Sequence, residues 1–143
     1  MTCIILFPVD GSEGSLKAAH HVAHMAAMIP GCEIHLLNVQ PPGDDWMVRR
    51  MIKAEELAVL EADWGEAALA PARSLLQQAG IPCISHMLQG EVAATIVRLA
   101  KELGCDQIIM GTQGRSALGD LLLGSVAVKV LHLSSVPVTL VKP

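Results

Sequence analysis

The chain predicts a doubly wound α/β fold: one domain over residues 1–143, a five-stranded parallel sheet in the order 3-2-1-4-5, and helices on both faces. Three observations predict it. Strand-like and helix-like stretches alternate in the order β-α-β-α-β-α-β-α-β, the pattern of a parallel sheet wrapped by helices. The first strand-like run is apolar throughout rather than alternating, as in a strand buried on both faces. Right-handed crossovers then leave only a few strand orders. With 143 residues, 52% of them hydrophobic, one core can form without metals or disulfides. Only 2% are aromatic, so Ala, Val, Ile, Leu and Met must build that core.

The elements follow in order. Residues 3–9 form the first strand, ended by Asp10-Gly11-Ser12, with Ser12 as N-cap of the first helix. That helix reaches about residue 29, with Leu16, Ala19, Ala23, Ala26 and Ile29 along one side, and Pro30-Gly31 stops it. Residues 33–39 form strand two, and 40–46 a loop rich in Pro, Gly and Asp. A long helical segment spans 48–79, with Met51, Leu57, Trp64, Ala68 and Leu75 on its expected buried side. Pro71 lacks an N–H and crowds the carbonyl four residues back, so a kink or break is expected there. Gly80 ends the segment. Strand three is 82–88, helix three 91–103 with Gly104 beyond it, and strand four 106–110. After a glycine-containing connector, helix four covers about 126–133 and strand five 136–141.

Composition excludes several functions. Net charge is −4 and the ten Lys and Arg are scattered, so no basic, aromatic-studded surface for nucleic acid is expected. No apolar run is long enough to cross a membrane, and no secretory leader is recognised, so the cytoplasm is the expected compartment. Cys3, Cys32, Cys83 and Cys105 lack any C-x-x-C spacing and read as small hydrophobes. His20 and His24 lie four apart beside His21, a metal-pair spacing on a helix that reads better as a solvated face. His35, His86 and His132 read as single residues without partners. No Gly-x-Ser-x-Gly occurs, and no Ser-His-Asp set can be argued.

The site signal is Gly111-Thr112-Gln113-Gly114, then Gly124-Ser125, between strand four and helix four. Glycines let backbone amides approach a ligand, and a helix N-terminus adds partial positive charge, a combination that suits phosphate. The spacing is neither that of the P-loop nor that of the dinucleotide fingerprint, and the same glycines also suit a plain surface loop. In the order 3-2-1-4-5, strands one and four are neighbours where the order reverses, and ligands bind there. Asp10 ends strand one and shares that crevice. It reads either as turn-and-cap chemistry or as a carboxylate for a ribose hydroxyl or a divalent cation. Arg115, inside the glycine loop, is placed to pair with a terminal phosphate.

Gly111-x2-Gly114-x9-Gly124-Ser125, preceded by Ile108-Ile109-Met110, resembles the ATP-binding signature of the universal stress protein family. The opening Ile4-Ile5-Leu6-Phe7-Pro8-Val9-Asp10-Gly11-Ser12 and the stretch from Leu123 through Val138 resemble it too. The resemblance implies ATP as cofactor, with Mg2+ or Mn2+, in a homodimer paired through the last strand. It places Pro8 and Asp10 at ribose and metal, Val39 against adenine, and Met110 and Gly111 beside ribose and phosphates. Gly114, Gly124, Ser125 and Val126 would wrap the phosphates. Gln113 departs from the pattern, where a histidine is common.

Val136-Pro137-Val138-Thr139-Leu140-Val141 supports a dimer on its own, since proline confines it to an edge and a bare apolar edge invites pairing; the other reading is a bare edge shielded by Lys142-Pro143. Leu118, Leu121, Leu122 and Leu123 suggest a short packed helical turn. Asp44, Asp45 and Trp46 stand near the expected nucleotide. The expected function is a nucleotide-dependent regulator in the stress response, with slow or no ATP hydrolysis. The alternative is an adenine-nucleotide hydrolase or adenylyl-transferring enzyme on the same fold.

Overall fold

The computed structural model describes residues 2–42, 51–113 and 123–143. Its elements are β1 (Ile4–Pro8), α1 (Glu13–Met28), β2 (Glu33–Gln40), α2 (Ala54–Gln78), β3 (Cys83–Gln89), α3 (Val92–Leu103), β4 (Gln107–Gly111), α4 (Ser125–Leu133) and β5 (Val138–Val141). The sheet is parallel throughout, in the order β3-β2-β1-β4-β5.

The apolar strands bury both of their faces. Ile5 and Phe7 pack with Ile34, Leu36 and Ile109 against α1 and α2. Leu6, Leu37, Ile108 and Met110 point to the opposite face, against α3 and α4. Small residues on the helices, such as Ala18, Ala19, Ala72 and Ala93, let them lie close to the sheet. Each fully buried Ile, Leu or Phe contributes about 1.5–3 kcal/mol, so this aliphatic core outweighs any cap or turn.

The helix ends carry their expected signals. The Ser12 hydroxyl accepts from the Ser15 amide, and the Glu91 carboxylate accepts from Ala94 N–H at 2.7 Å. Gly104 caps α3 in the left-handed region at φ 66. Gly80, at φ 76, ends α2 while Ile81 N–H reaches back to Leu76 O at 2.9 Å.

Two expectations for α2 are corrected. Of the kink or break expected at Pro71, the break does not occur, and the helix runs through as one element. Pro71 and Ala67, four residues before it, are both exposed, so the carbonyl that the proline leaves without a donor is open to solvent. The buried stripe is Gly65, Ala68, Leu69, Ala72 and Leu76. Trp64 and Met51, expected inside, are exposed; alanines and a glycine form the inner face because α2 presses close on β2 and β3. A Cβ on Gly65 would come within 2.6 Å of the Met87 sulfur.

The two edges are β3 and β5. On β3, Ile84 and Met87 are exposed, and every residue of β5 is half-buried. Pro137 lies just before β5, where its carbonyl accepts from Ile108 N–H at 2.9 Å and its missing N–H costs the ladder nothing.

Candidate functional site

β1 and β4 lie side by side, yet β1 continues into α1 on one face and β4 leads to α4 on the other. The chain therefore diverges past their carboxyl ends and leaves a cavity of about 520 Å³. Pro8, Asp10, Val39, Met110, Gly111, Gly124, Ser125 and Val126 all line it. Gly114 and Arg115 lie outside the described residues, as do Asp44, Asp45, Trp46, Leu118, Leu121 and Leu122.

Part of the cavity lining is aliphatic: Leu37, Val39, Val92, Ile96 and Met110, which pack in one cluster. Val39 sits two residues beyond Leu37, the last β2 residue paired with β1. The Leu37 carbonyl accepts from Val9 N–H at 2.8 Å, so β2 turns its polar main chain toward β1 at that position. Two residues on, the same orientation recurs where β1 has already ended. The main chain of Val39 therefore faces the cavity.

Asp10 is also on the cavity wall. Its Oδ1 accepts from Ser12 N–H at 2.9 Å and from Ser15 Oγ–H at 2.8 Å. Its own N–H donates to Ser15 Oγ at 3.1 Å. This is the turn-and-cap chemistry of one reading, and it fixes a carboxylate on the cavity wall, as the other reading requires. Gly11 takes the left-handed φ of 81 that the turn needs.

The start of α4 forms the third wall. Its N-cap is Gly124, which offers no side chain to the first amides of the helix. Ser125, Val126 and Ala127, the first three helical residues, line the cavity. Their N–H groups come before the first helical bond, which Val128 N–H makes to Gly124 O at 3.1 Å. One expectation changes here. The Gly124 amide does not point at a ligand, because it donates to Thr112 O at 2.6 Å. That bond joins the two flanks of the glycine connector, and Thr112 N–H in turn holds Val141 O at 3.1 Å.

Two site features escape the sequence. Gly14, in the first turn of α1, abuts the end of β4: a Cβ there would lie 2.8 Å from Gln113 O. A Cβ on Gly111 would meet Gly14 O at 3.2 Å, so Gly111 serves close packing as well as the cavity. A glycine inside a helix with no turn to make is the signal that could have exposed this contact. The second is Asn38, buried on the cavity wall, whose Nδ2 donates to Val9 O at 2.9 Å and whose Oδ1 accepts from Gln40 Nε2 at 2.6 Å. A carboxamide inside an apolar strand run was its mark.

His35 and His86, expected to stand alone, meet. Their rings stack at 5.1 Å, Nδ1 of His35 lies 2.8 Å from Nε2 of His86, and Nε2 of His35 lies 2.5 Å from Glu33 Oε1. Parallel pairing of β2 with β3 brings them together across 51 positions, which no local pattern reveals. Burial, and then the neighbouring His35, lowers the His86 pKa from its usual 6.5. Among the described residues no group of three or more His, Cys, Asp or Glu is arranged to hold a metal.

The family model described as "Universal stress protein family" matches residues 1–142. The chain belongs to the universal stress protein family. A universal stress protein of Methanocaldococcus jannaschii, MJ0531, is 32% identical over 96% of this chain and 81% of its own length. A family member from Thermus aquaticus is 32% identical over 96% of this chain and 97% of its own. Among solved structures, M. jannaschii MJ0577 superposes with a TM-score of 0.85 at 29% identity, covering 100% of this chain and 97% of its own. A family member in complex with cAMP shares the fold at a TM-score of 0.73 and 24% identity, over 97% of this chain and 96% of its own. So does an Archaeoglobus fulgidus member in complex with dAMP, at 0.68 and 21%, over 99% and 98%. Among the described residues no helix is long and apolar enough to cross a membrane.

Proposed function

We propose that this universal stress protein binds an adenine nucleotide, ATP with Mg2+ or Mn2+, in the β1/β4 cavity and acts as a nucleotide-dependent regulator of the stress response. The observation that carries the reading is the pairing of an aliphatic slot with an uncapped helix start across one cavity. The slot suits a flat base, and the main chain of Val39 offers it a donor and an acceptor. The first amides of α4 suit phosphate, with Ser125 adding a hydroxyl. The resemblance implies the same role for Gly114 on the glycine connector, and Arg115 beside it is a cation suited to a terminal phosphate. Relatives in complex with cAMP and dAMP point to the same ligand class.

The residues fit a cation carried in by the nucleotide. Mg2+ is commonly held by one or two carboxylates plus phosphate oxygens and water. Asp10 is one carboxylate in the right place, and the cation would neutralise charge between it and the phosphates. Oδ1 of Asp10 already accepts two hydrogen bonds, which makes the group a better orienting ligand than a base for water. That favours slow hydrolysis or none. The geometry also favours a homodimer formed through β5, whose half-buried apolar strand ends the sheet.

The test is mass spectrometry of small molecules released on denaturing the purified protein, followed by calorimetric titration with ATP and Mg2+. ATP in the released fraction and saturable binding are expected. An empty protein that takes up no adenine nucleotide overturns the reading. Turnover of labelled ATP distinguishes regulator from hydrolase.

A further inference from the structure

We infer that Cys3 and Cys32 form a modification site: a dithiol, at the end of the sheet away from the crevice, that closes to an intramolecular disulfide by exchange with a low-molecular-weight disulfide. The two residues are far apart in sequence and adjacent in space. Ile4 pairs with Glu33 in the β1/β2 ladder, so the residues just before them face each other. Glu33 N–H donates to Cys3 O at 2.7 Å and fixes that register. Both side chains pack on the same core face, beside Ile5 and Ile34, and both are half-buried. Neighbouring parallel strands lie about 4.8 Å apart. That falls inside the Cα separation of about 4.4–6.8 Å that a disulfide spans.

The other cysteines do not compete. Cys83 pairs with Ile34, two residues further along β2, which puts it about 8 Å from Cys32 by strand spacing and rise. Cys105 belongs to the core on the opposite face of the sheet.

The exchange balances in two steps. The Cys3 thiolate attacks one sulfur of the small disulfide, forms a mixed disulfide and expels one small thiolate. The Cys32 thiolate then attacks the Cys3 sulfur, forms the Cys3–Cys32 bond and expels the second small thiolate. Two protein thiols are oxidised, the small disulfide is reduced to two thiols, and the two protein protons end on those thiols. Burial, and then the Cys3 thiol beside it, pushes Cys32 up to about 11. A thiol held protonated attacks slowly, so Cys32 suits the second, intramolecular attack, where its partner sulfur is already beside it. A sulfur of high pKa also leaves slowly, so the closed bridge is long-lived once formed.

The test uses the full chain, reduced and then incubated with oxidised glutathione at mildly alkaline pH. Intact mass should fall by two hydrogen atoms. Peptide mapping should join the Cys3 and Cys32 peptides while Cys83 and Cys105 remain alkylatable. Cys3→Ser and, separately, Cys32→Ala should each abolish that mass loss, and the Cys32→Ala variant should retain a glutathione adduct at Cys3. The bridged protein should melt higher than the reduced one, because the closed loop joins β1 to β2. Four alkylatable thiols after oxidation, a bridge through Cys83 or Cys105, or the same mass loss in either variant overturns the inference.

Discussion

Two helix starts face the same cavity and are finished in opposite ways. α1 begins with Ser12, whose hydroxyl accepts from Ser15 N–H, and with Asp10, whose carboxylate accepts from Ser12 N–H. Glu13 adds a negative charge in the first turn. α4 begins with Gly124 and has no capping side chain and no acid in its first turn. Caps are worth about 0.5–2 kcal/mol, so leaving α4 without one forgoes stability that α1 keeps. The difference teaches where an anion belongs. The α1 start already carries its counter-charge, and the α4 start lines the cavity with no capping side chain or acid of its own.

The sharpest way to break this comparison is to give α4 what α1 has. Ser125→Asp puts a carboxylate in the first turn of α4, at an exposed position. It should leave the melting temperature level or raise it, because the charge complements the helix dipole. ATP affinity should fall about 10- to 100-fold, the worth of a charge-assisted hydrogen bond lost and a repulsion gained. Unchanged affinity by calorimetry would move the phosphates elsewhere and dissolve the contrast.

Asp10→Asn separates the two parts that Asp10 is offered. The amide oxygen still accepts from Ser12 N–H and Ser15 Oγ–H, so the turn survives. Only the charge is gone. Affinity for ATP with Mg2+ should drop about tenfold, and affinity for ATP without a divalent cation should rise. Equal losses with and without Mg2+ would mean that Asp10 acts on the ribose or on the fold, not through a cation.

Ser12→Ala has a smaller effect and falls on the other side of the comparison. It removes the α1 cap and should cost about 1 kcal/mol in urea unfolding. Its effect on ATP affinity should be well below that of Ser125→Asp. An affinity loss as large as the α4 variant's would show that the α1 start is part of the anion site after all.

The same contrast shows what the sequence could and could not reveal. The strand order, the crevice and most of its lining are legible because they rest on local signals: apolar runs, glycine punctuation and a serine cap. Legibility ends where long-range approach decides. Gly14 reads as an unremarkable helix residue until β4 arrives against it. The Gly124 amide reads as a phosphate donor until Thr112 O, across the connector, takes it. The inner face of α2 is misread because large apolar residues look buried by default. Close packing on the sheet put Gly65 and Ala72 beside the expected Ala68, and left Trp64 outside.

The smallest effect expected comes from a polar cluster remote from both helix starts, and it serves as their control. His86 stacks on His35, which bridges it to Glu33. Its folded pKa is lowered below 6.5, by burial first and by His35 second. The native state therefore binds fewer protons than the unfolded chain in the window below 6.5, and stability rises with pH there. The contribution is complete above the unfolded value and is lost as pH falls through the folded one. Thermal midpoints taken from pH 7.5 down to 5 should decline shallowly below about 6.5, and His86→Gln should flatten that part of the curve. ATP affinity at pH 7.5 should be the same in His86→Gln as in the parent, since the ring lies on β3, away from the β1/β4 reversal. A flat parent curve would show that burial does not hold His86 below its ordinary value.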